Sequence, residues 1–255
     1  MATKKPEAPK NEVQKNGNGG GLAIATDQPE WLQKGNRGSE NVETRDLILP
    51  RLGQIQALSP QIKKSDPTYI EKAEQGQLFN PLTSEIYGES ITFVPIIFRK
   101  VWVIFKDRKK GGGFFGAYAS DKEALDFIRK AENNDGMESI ESHEHIGMLV
   151  APSGEMTQMV VTCTRSKIKA SRKLNSLVSL AGVDRFAKAY EIRSVEDQNR
   201  TGDSYWNLDI RSLGFVPKDT YTAMAEQYEV LKNMTITTNY NDGNSDASAA
   251  DEKEF

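Results

Sequence analysis

The strongest constraint on the fold is an apolar run from Ile91 to Phe105, which is rich in Ile, Val, Phe and Trp. β-Branched and aromatic residues favour strands, and the run is longer than an ordinary strand of ~5 to 6 residues. Pro95 lies inside it, and proline in a sheet is confined to edge strands, strand starts and bulges. We therefore predict either one long bent strand or two strands that break near Pro95.

Shorter periodic segments surround this run. Asn80-Pro81 favours a turn between two β-forming segments in the region 77–88, and an extended entry segment is expected near 46–52. Further strands are predicted at 114–118, 144–150, 155–164, 187–195 and 204–210, and helices at 121–132, 165–180 and 218–232, with Gly182 ending the second helix. The absence of βαβ alternation predicts a mainly β chain with inserted helices (α+β), an OB-fold-like partly open antiparallel barrel.

The two ends of the chain contain almost no apolar periodicity. Segments of that kind cannot bury enough apolar surface to offset their ordering entropy. We therefore predict a flexible amino-terminal arm at 1–43, a folded OB-like nucleic-acid-binding domain at 44–234 and a disordered acidic tail at 235–255. Cys163 is the single cysteine and lies among β-formers, which predicts a buried structural thiol. No signal peptide or membrane span is recognised, so a cytoplasmic location without a membrane partner is expected.

The charge is distributed unevenly along the chain. The net charge is -3, but five acids against one lysine follow Tyr240, so the preceding residues carry about +1. Basic residues cluster in two stripes, Arg99 to Lys110 and Arg165 to Lys173. Two basic stripes beside an acidic end favour a polyanionic partner.

The first stripe follows the apolar run. Strand alternation sets Lys100, Trp102 and Lys106 on one face, and single-strand binders combine ammonium groups that pair with phosphates and rings that stack on bases. The alternative is that Trp102 belongs to the core while the lysines extend to solvent at its edges. After a basic glycine-rich loop, Phe114, Gly116 and Tyr118 are expected to point the same way and leave room for a base, or else to serve as hairpin packing. The predicted nucleic-acid contacts here are Lys100, Trp102, Lys106, Arg108, Lys109, Lys110, Phe114 and Tyr118.

The second stripe lies at the start of a predicted helix, where the helix dipole disfavours positive charge. A bound polyanion would compensate, although a solvated surface is the alternative. The predicted contacts here are Arg165, Lys167, Lys169, Arg172 and Lys173.

His143 and His145 have a spacing that could bring two imidazoles beside Glu141 near a metal ion. No zinc-type cysteine pair accompanies them, and the polar stretch from Glu138 to His145 reads as a solvated loop. No nucleophile elbow, Walker A sequence, metalloprotease helix or paired-carboxylate motif is present. We predict no catalytic residues, no metal and no cofactor, and therefore a protein that is not an enzyme.

The carboxyl end Asp251-Glu-Lys-Glu-Phe255, behind a Gly/Ser/Asn/Ala spacer, resembles the tails of bacterial single-stranded DNA-binding proteins and of the T7-like phage single-stranded DNA-binding protein. The resemblance implies that the tail recruits replication or recombination proteins. Phe255 would enter a basic-rimmed apolar pocket, and Asp251, Glu252 and Glu254 would supply steering charge. It also implies that the tethered tail competes with DNA.

The pattern LPRL…LSP…GQLFNPLT…YG…FVP, from Leu49 to Pro95, is similar to a group of phage proteins of which some are regarded as single-strand binders. We expect a protein that binds single-stranded DNA without sequence specificity during phage DNA replication or recombination, in the host cytoplasm. The alternatives are a phage structural or scaffolding protein, whose stripes face protein subunits, and a strand-annealing protein. The oligomeric state is left open, with a homodimer among the options.

Overall fold

The computed structural model describes residues 35, 37–42, 48–107, 110–233, 238 and 240 of the 255-residue chain. The chain divides into two compact units, Met1–Glu43 and Thr44–Phe255. In the described part of the first unit, the backbone N–H of Gly38 donates to the Glu40 carboxylate and thereby lowers its pKa. The helices and strands of the described residues all lie in the second unit.

Nine strands and three α-helices make up the second unit within the described ranges. The strands are β1 Gly53–Gln54, β2 Leu78–Phe79, β3 Ile86–Gly88, β4 Ser90–Lys106, β5 Gly113–Tyr118, β6 Met137–Val150, β7 Met156–Thr164, β8 Lys188–Gln198 and β9 Ser204–Phe215. The helices are α1 Asp121–Lys130, α2 Ile168–Ala181 and α3 Lys218–Leu231, with short 3-10 helices at Pro60–Ile62, Arg165–Lys167 and Arg185–Ala187. Each ladder between these strands is antiparallel, so the predicted mainly β chain with inserted helices is confirmed.

Strand β4 is one continuous strand, which confirms the first of the two predicted alternatives. Its register shifts between Pro95 and Ile97, where proline leaves the ladder without an N–H donor. It lies in the middle of a six-stranded sheet of order β7-β6-β4-β8-β9, and β5 pairs with the far end of β4. β8 therefore pairs with the beginning of β4 and β5 with its end.

A segment before β2 links the two outer strands of this sheet. The Leu52 N–H donates to the Val160 carbonyl at 2.8 Å in β7. A few residues later the Gln56 side-chain amide donates to the Trp206 carbonyl at 2.8 Å, and its oxygen accepts from the Trp206 N–H at 2.9 Å in β9. The extended entry segment predicted near 46–52 thus continues into a connection between β7 and β9.

The main core lies between the sheet and α2. Phe93, Tyr190 and Met159 pack there with Leu174 of the helix. A second cluster places Met224 of α3 against other apolar side chains of the sheet. None of the helices in the described ranges is long and apolar enough to cross a bilayer.

Helix α2 ends as predicted and begins later than predicted. Gly182 follows it with φ 64°, a left-handed conformation that glycine adopts without a Cβ penalty. At the other end, residues 165–167 form a 3-10 turn, and Arg165 has φ 49°. The α-helical spacing predicted for the basic stripe therefore does not apply to its first three residues.

Candidate nucleic-acid interface

The middle of β6 carries a polar stripe of five residues, Glu141, Ser142, His143, Glu144 and His145. The last four are at most 4% exposed. The prediction of a solvated loop here is wrong, because β6 begins at Met137 and runs between β4 and β7. Side chains alternate between the two faces of a strand, so the stripe is divided between them.

The two faces of the β4–β6 ladder are named by their residues. Lys100 pairs with His143, and both define the front face. Arg99 pairs with Glu144, and both define the back face.

On the front face, a series of hydrogen bonds joins buried side chains, with a donor and an acceptor assigned at each step. Arg185 Nη1 lies 3.3 Å from His145 Nδ1, and His145 Nε2 lies 2.7 Å from Ser171 Oγ of α2. Ser171 Oγ also lies 2.7 Å from His143 Nδ1, and His143 Nε2 lies 2.8 Å from Glu141 Oε1. Arginine can only donate, so the His145 Nε2–H donates to Ser171, Ser171 donates to His143, and the His143 Nε2–H donates to Glu141.

The surroundings of these hydrogen-bonded side chains shift the pKa values of His145 and Glu141. Burial, with smaller contributions from Arg185 and His143, lowers the pKa of His145 to about 3. Hydrogen bonds from Lys100 and then His143 lower the pKa of Glu141. Ser171 is 1% exposed, so its hydroxyl is not presented to a substrate in solution. No group of three or more His, Cys, Asp or Glu side chains among the described residues is arranged to hold a metal ion.

The series of hydrogen bonds ends at Glu141, which holds Lys100 over the Trp102 ring. Lys100 Nζ lies 2.7 Å from Glu141 Oε1 and 5.8 Å from the centre of the Trp102 ring. Tyr118 of β5 pairs with Trp102 across the ladder and packs on Phe127 of α1, with ring centres 5.5 Å apart. Trp102 and Tyr118 are half-buried, and Lys100 is exposed. Three predicted contacts, Lys100, Trp102 and Tyr118, are thus brought together.

Phe114 lies on the back face, which contradicts the prediction that it points the same way as Tyr118. A register shift between Ile104 and Phe105 places Phe114 opposite Phe105, while Tyr118 remains opposite Trp102. An irregularity of this kind changes which face a strand residue occupies. The two rings therefore cannot serve one stacking surface.

On the back face, Phe114 contributes to a site occupied by Tyr240. The two rings stack with centres 5.2 Å apart and planes 25° apart, and the Arg51 guanidinium lies 5.4 Å from the centre of the Tyr240 ring. The Tyr240 hydroxyl donates to Glu144 Oε1 at 2.5 Å and lies 2.9 Å from Ser142 Oγ. Burial, followed by the Glu144 charge, raises the pKa of Tyr240.

The chain beside Tyr240 is held to the same face. Arg99 forms an ion pair with Glu144 and donates through Nη2 to Thr238 Oγ1 at 3.0 Å. Thr238 also forms a parallel bridge with Leu49. The predicted tail begins at 235, whereas Thr238 and Tyr240 are buried against the sheet.

The remaining cations of the first stripe have separate surroundings. Lys106 is 8% exposed and donates to the Asn133 carbonyl at 3.0 Å, so the prediction that it faces a solvent groove is wrong. Lys110 is exposed and forms a 2.7 Å ion pair with Asp135. Arg108 and Lys109 lie outside the described residues.

The second stripe is divided among several surroundings. Arg165 pairs with Glu138 at 2.7 Å, which places it near the end of β4, and Lys173 pairs with Asp209 of β9 at 2.5 Å. Lys167 is 7% exposed, because the 3-10 turn directs it inward, and its predicted position on the surface is wrong. Lys169 and Arg172 are exposed as predicted.

Asp251, Glu252, Glu254 and Phe255 of the predicted partner-binding tail lie outside the described residues.

The groups that complete the polar stripe were not predicted from the sequence, namely Ser171, Arg185 and Tyr240. The signal that could have found the stripe is the alternation of residues 141–145, which leads directly into the strand formers that follow. Polarity was read there as exposure. The residues that satisfy the stripe are distant in sequence, so no local pattern identifies them.

Comparison with known proteins identifies a phage family. No curated protein and no solved structure matches this chain. The family model described as "Pam3 phage gp34-like protein" matches residues 18–237, which include the β sheet, the polar stripe and the three helices. The chain therefore belongs to the Pam3 phage gp34-like protein family.

Proposed function

We propose that this phage protein binds single-stranded DNA without sequence specificity, as a non-enzymatic component of DNA replication or recombination. The observation that carries the proposal is the group of Lys100, Trp102 and Tyr118 on the front face. A half-exposed indole beside a phenol offers ring surfaces to bases, and an ammonium group above the indole can pair with a phosphate. Stacking of this kind contributes ~1 to 3 kcal/mol per base and does not depend on sequence.

Phosphate binding at this surface requires an exchange of partners. Lys100, Lys110 and Arg165 are paired with Glu141, Asp135 and Glu138, respectively. These pairs are at least partly exposed, and an exposed pair contributes only ~0 to 1 kcal/mol, so a phosphate can displace the carboxylate at low cost. If about four to six phosphates are neutralised, log K should fall against log salt with a slope of roughly -3 to -4.

The proposed architecture is an OB-like, partly open barrel with an acidic tail. The connection of β7 to β9 through the segment around Leu52 and Gln56 supports the barrel. For the tail, we propose that residues Asp251 to Phe255 recruit replication or recombination proteins. Deleting these residues should leave DNA binding intact or tighter and abolish stimulation of the partner.

A titration of intrinsic fluorescence with oligo-dT tests DNA binding. Trp102→Leu should remove most of the quenching and weaken binding by about 5- to 150-fold, the equivalent of one stacked base at ~1 to 3 kcal/mol. Trp206→Phe is the matched control, because Trp206 packs against Gly76 on another part of the molecule. Equal effects of the two substitutions, or affinity that does not depend on salt, would contradict the proposal.

The second candidate is a phage structural or scaffolding protein. It is favoured by exposed apolar side chains on the outer strand β9, where Phe215 is 70% and Leu213 45% exposed. Exposed apolar groups on an edge strand are suited to contact with another protein. Phe215→Ser should then impair assembly with other phage proteins, and the wild type should not respond to oligo-dT.

A further inference from the structure

Tyr240 fills a slot on the back face whose lining groups suit a flat polar ring. Phe114 stacks on the ring, and the Arg51 guanidinium lies 5.4 Å from its centre. At the far end of the ring, the fully buried Glu144 carboxylate accepts a hydrogen bond from the Tyr240 hydroxyl at 2.5 Å. The slot therefore selects a planar group that carries a hydrogen-bond donor at its far edge.

A nucleobase meets these requirements, and guanine meets them best. Guanine presents two adjacent N–H donors on its pairing edge, which Glu144 Oε1 and the Ser142 hydroxyl, the two partners of the Tyr240 hydroxyl, can accept while Glu144 Oε2 keeps its ion pair with Arg99. Thymine presents one N–H between two carbonyl oxygens, which a carboxylate repels. We propose that the Tyr240 slot is a base site that prefers guanine, and that Tyr240 closes it while no DNA is bound.

This inference rests on the proposed function and extends it from the front face to the back face. Among the described residues, β5 has no strand partner besides β4, so no strand covers its other edge. Tyr118 faces the front and Phe114 the back of this strand, and Phe115 between them is 40% exposed. A DNA strand that stacks on Trp102 can pass around this edge and reach the slot.

Exchange of Tyr240 for a base replaces one ring by another. The incoming base restores the stacking on Phe114 and the hydrogen bond to Glu144. The apparent affinity of such a site is lowered by the small fraction of molecules in which the slot is open. Removing the tyrosine side chain should therefore raise the affinity for guanine and leave the front face unchanged.

The test compares an oligo-dT strand with the same strand carrying one central dG. The wild type should bind the two within about twofold of each other, whereas Tyr240→Ala should bind the dG strand about tenfold more tightly than oligo-dT, as expected for one additional stacked base. Adding Phe114→Leu to Tyr240→Ala should abolish that preference. The matched control is Tyr221→Ala, because Tyr221 is exposed on α3 and bonded to Asp184; it should show no preference.

A folded Tyr240→Ala protein without a guanine preference would overturn the inference. If that variant does not fold, Tyr240→Phe provides the decisive measurement: it keeps the ring but loses the hydrogen bond to Glu144, so it should bind the dG strand more tightly than oligo-dT, and equal affinities overturn the inference. Failure of the proposed function has a different signature. Oligonucleotide binding would then be absent or insensitive to Trp102→Leu, and this result would overturn both the proposed function and the base site. Binding that depends on Trp102 but shows no guanine preference would overturn only the base site.

Discussion

Lowering the pH from 7 to 5 should destabilise the fold by about 2 kcal/mol through His145 alone. Burial lowers the pKa of His145 from 6.5 to about 3 in the folded protein. Between these values the unfolded chain binds a proton at His145 and the folded chain does not. The stability that depends on the neutral imidazole is therefore complete above pH 6.5 and is lost progressively as the pH falls towards 3.

Urea denaturation of the wild type and His145→Gln at pH 7 and pH 5 isolates this effect. Glutamine can accept from Arg185 and donate to Ser171, but it does not titrate. The wild type should lose about 2 kcal/mol more than the variant between the two pH values, which corresponds to a difference of about 4 to 8 °C in the shift of Tm. Most carboxylates with pKa values near 4 remain ionised at pH 5, so they contribute little to the difference. Equal losses in the two proteins would refute the burial of a neutral His145.

Three further substitutions test the packing and the charge of the interface. Ser171→Ala should lower the free energy of unfolding by about 2 to 4 kcal/mol in urea denaturation, because two buried imidazole nitrogens lose their partner. The control is Ser179→Ala at an exposed position, which should change stability by less than about 0.5 kcal/mol. Similar values for the two variants would contradict the series of hydrogen bonds. Gly147→Ala should lower the free energy of unfolding by about 2 to 4 kcal/mol, since an added Cβ would lie 2.2 Å from a backbone carbonyl oxygen of β4. Unchanged stability would contradict this close packing of β6 on β4. Glu141→Gln keeps an acceptor for His143 but releases Lys100 from its ion pair. In salt titrations of oligo-dT binding, the slope of log K against log salt should therefore become steeper by up to about 0.7. An unchanged slope would argue against a phosphate contact at Lys100.

The elements that could be predicted are those with a local physical cause. The run from Ile91 to Phe105 combines β-formers with a proline, and β4 has a register shift at that proline. The turn after β2 follows from Asn80, whose side-chain oxygen accepts from the Leu82 N–H at 2.9 Å. Gly182 ends α2 because it adopts a left-handed conformation.

The interface was predicted less completely, because its surroundings come from distant parts of the chain. Trp102 and Lys100 follow from strand alternation, which needs no tertiary information. Phe114 was assigned to the wrong face because a register shift depends on how two strands pair. Lys106 was assigned to solvent because its acceptor, the Asn133 carbonyl, is supplied by the segment before β6.

The polar stripe of β6 has a consequence for the fidelity of folding. A slip of one residue between β4 and β6 would turn every β6 side chain to the opposite side of the sheet. Glu144 would then lie beneath α2 without Arg99, and His143 would meet the guanidinium instead of the carboxylate. An uncompensated buried charge typically costs ~3 to 5 kcal/mol, a large fraction of the marginal stability of a domain. The alternating histidines and carboxylates thus favour a single register between β4 and β6 and destabilise the registers shifted by one residue.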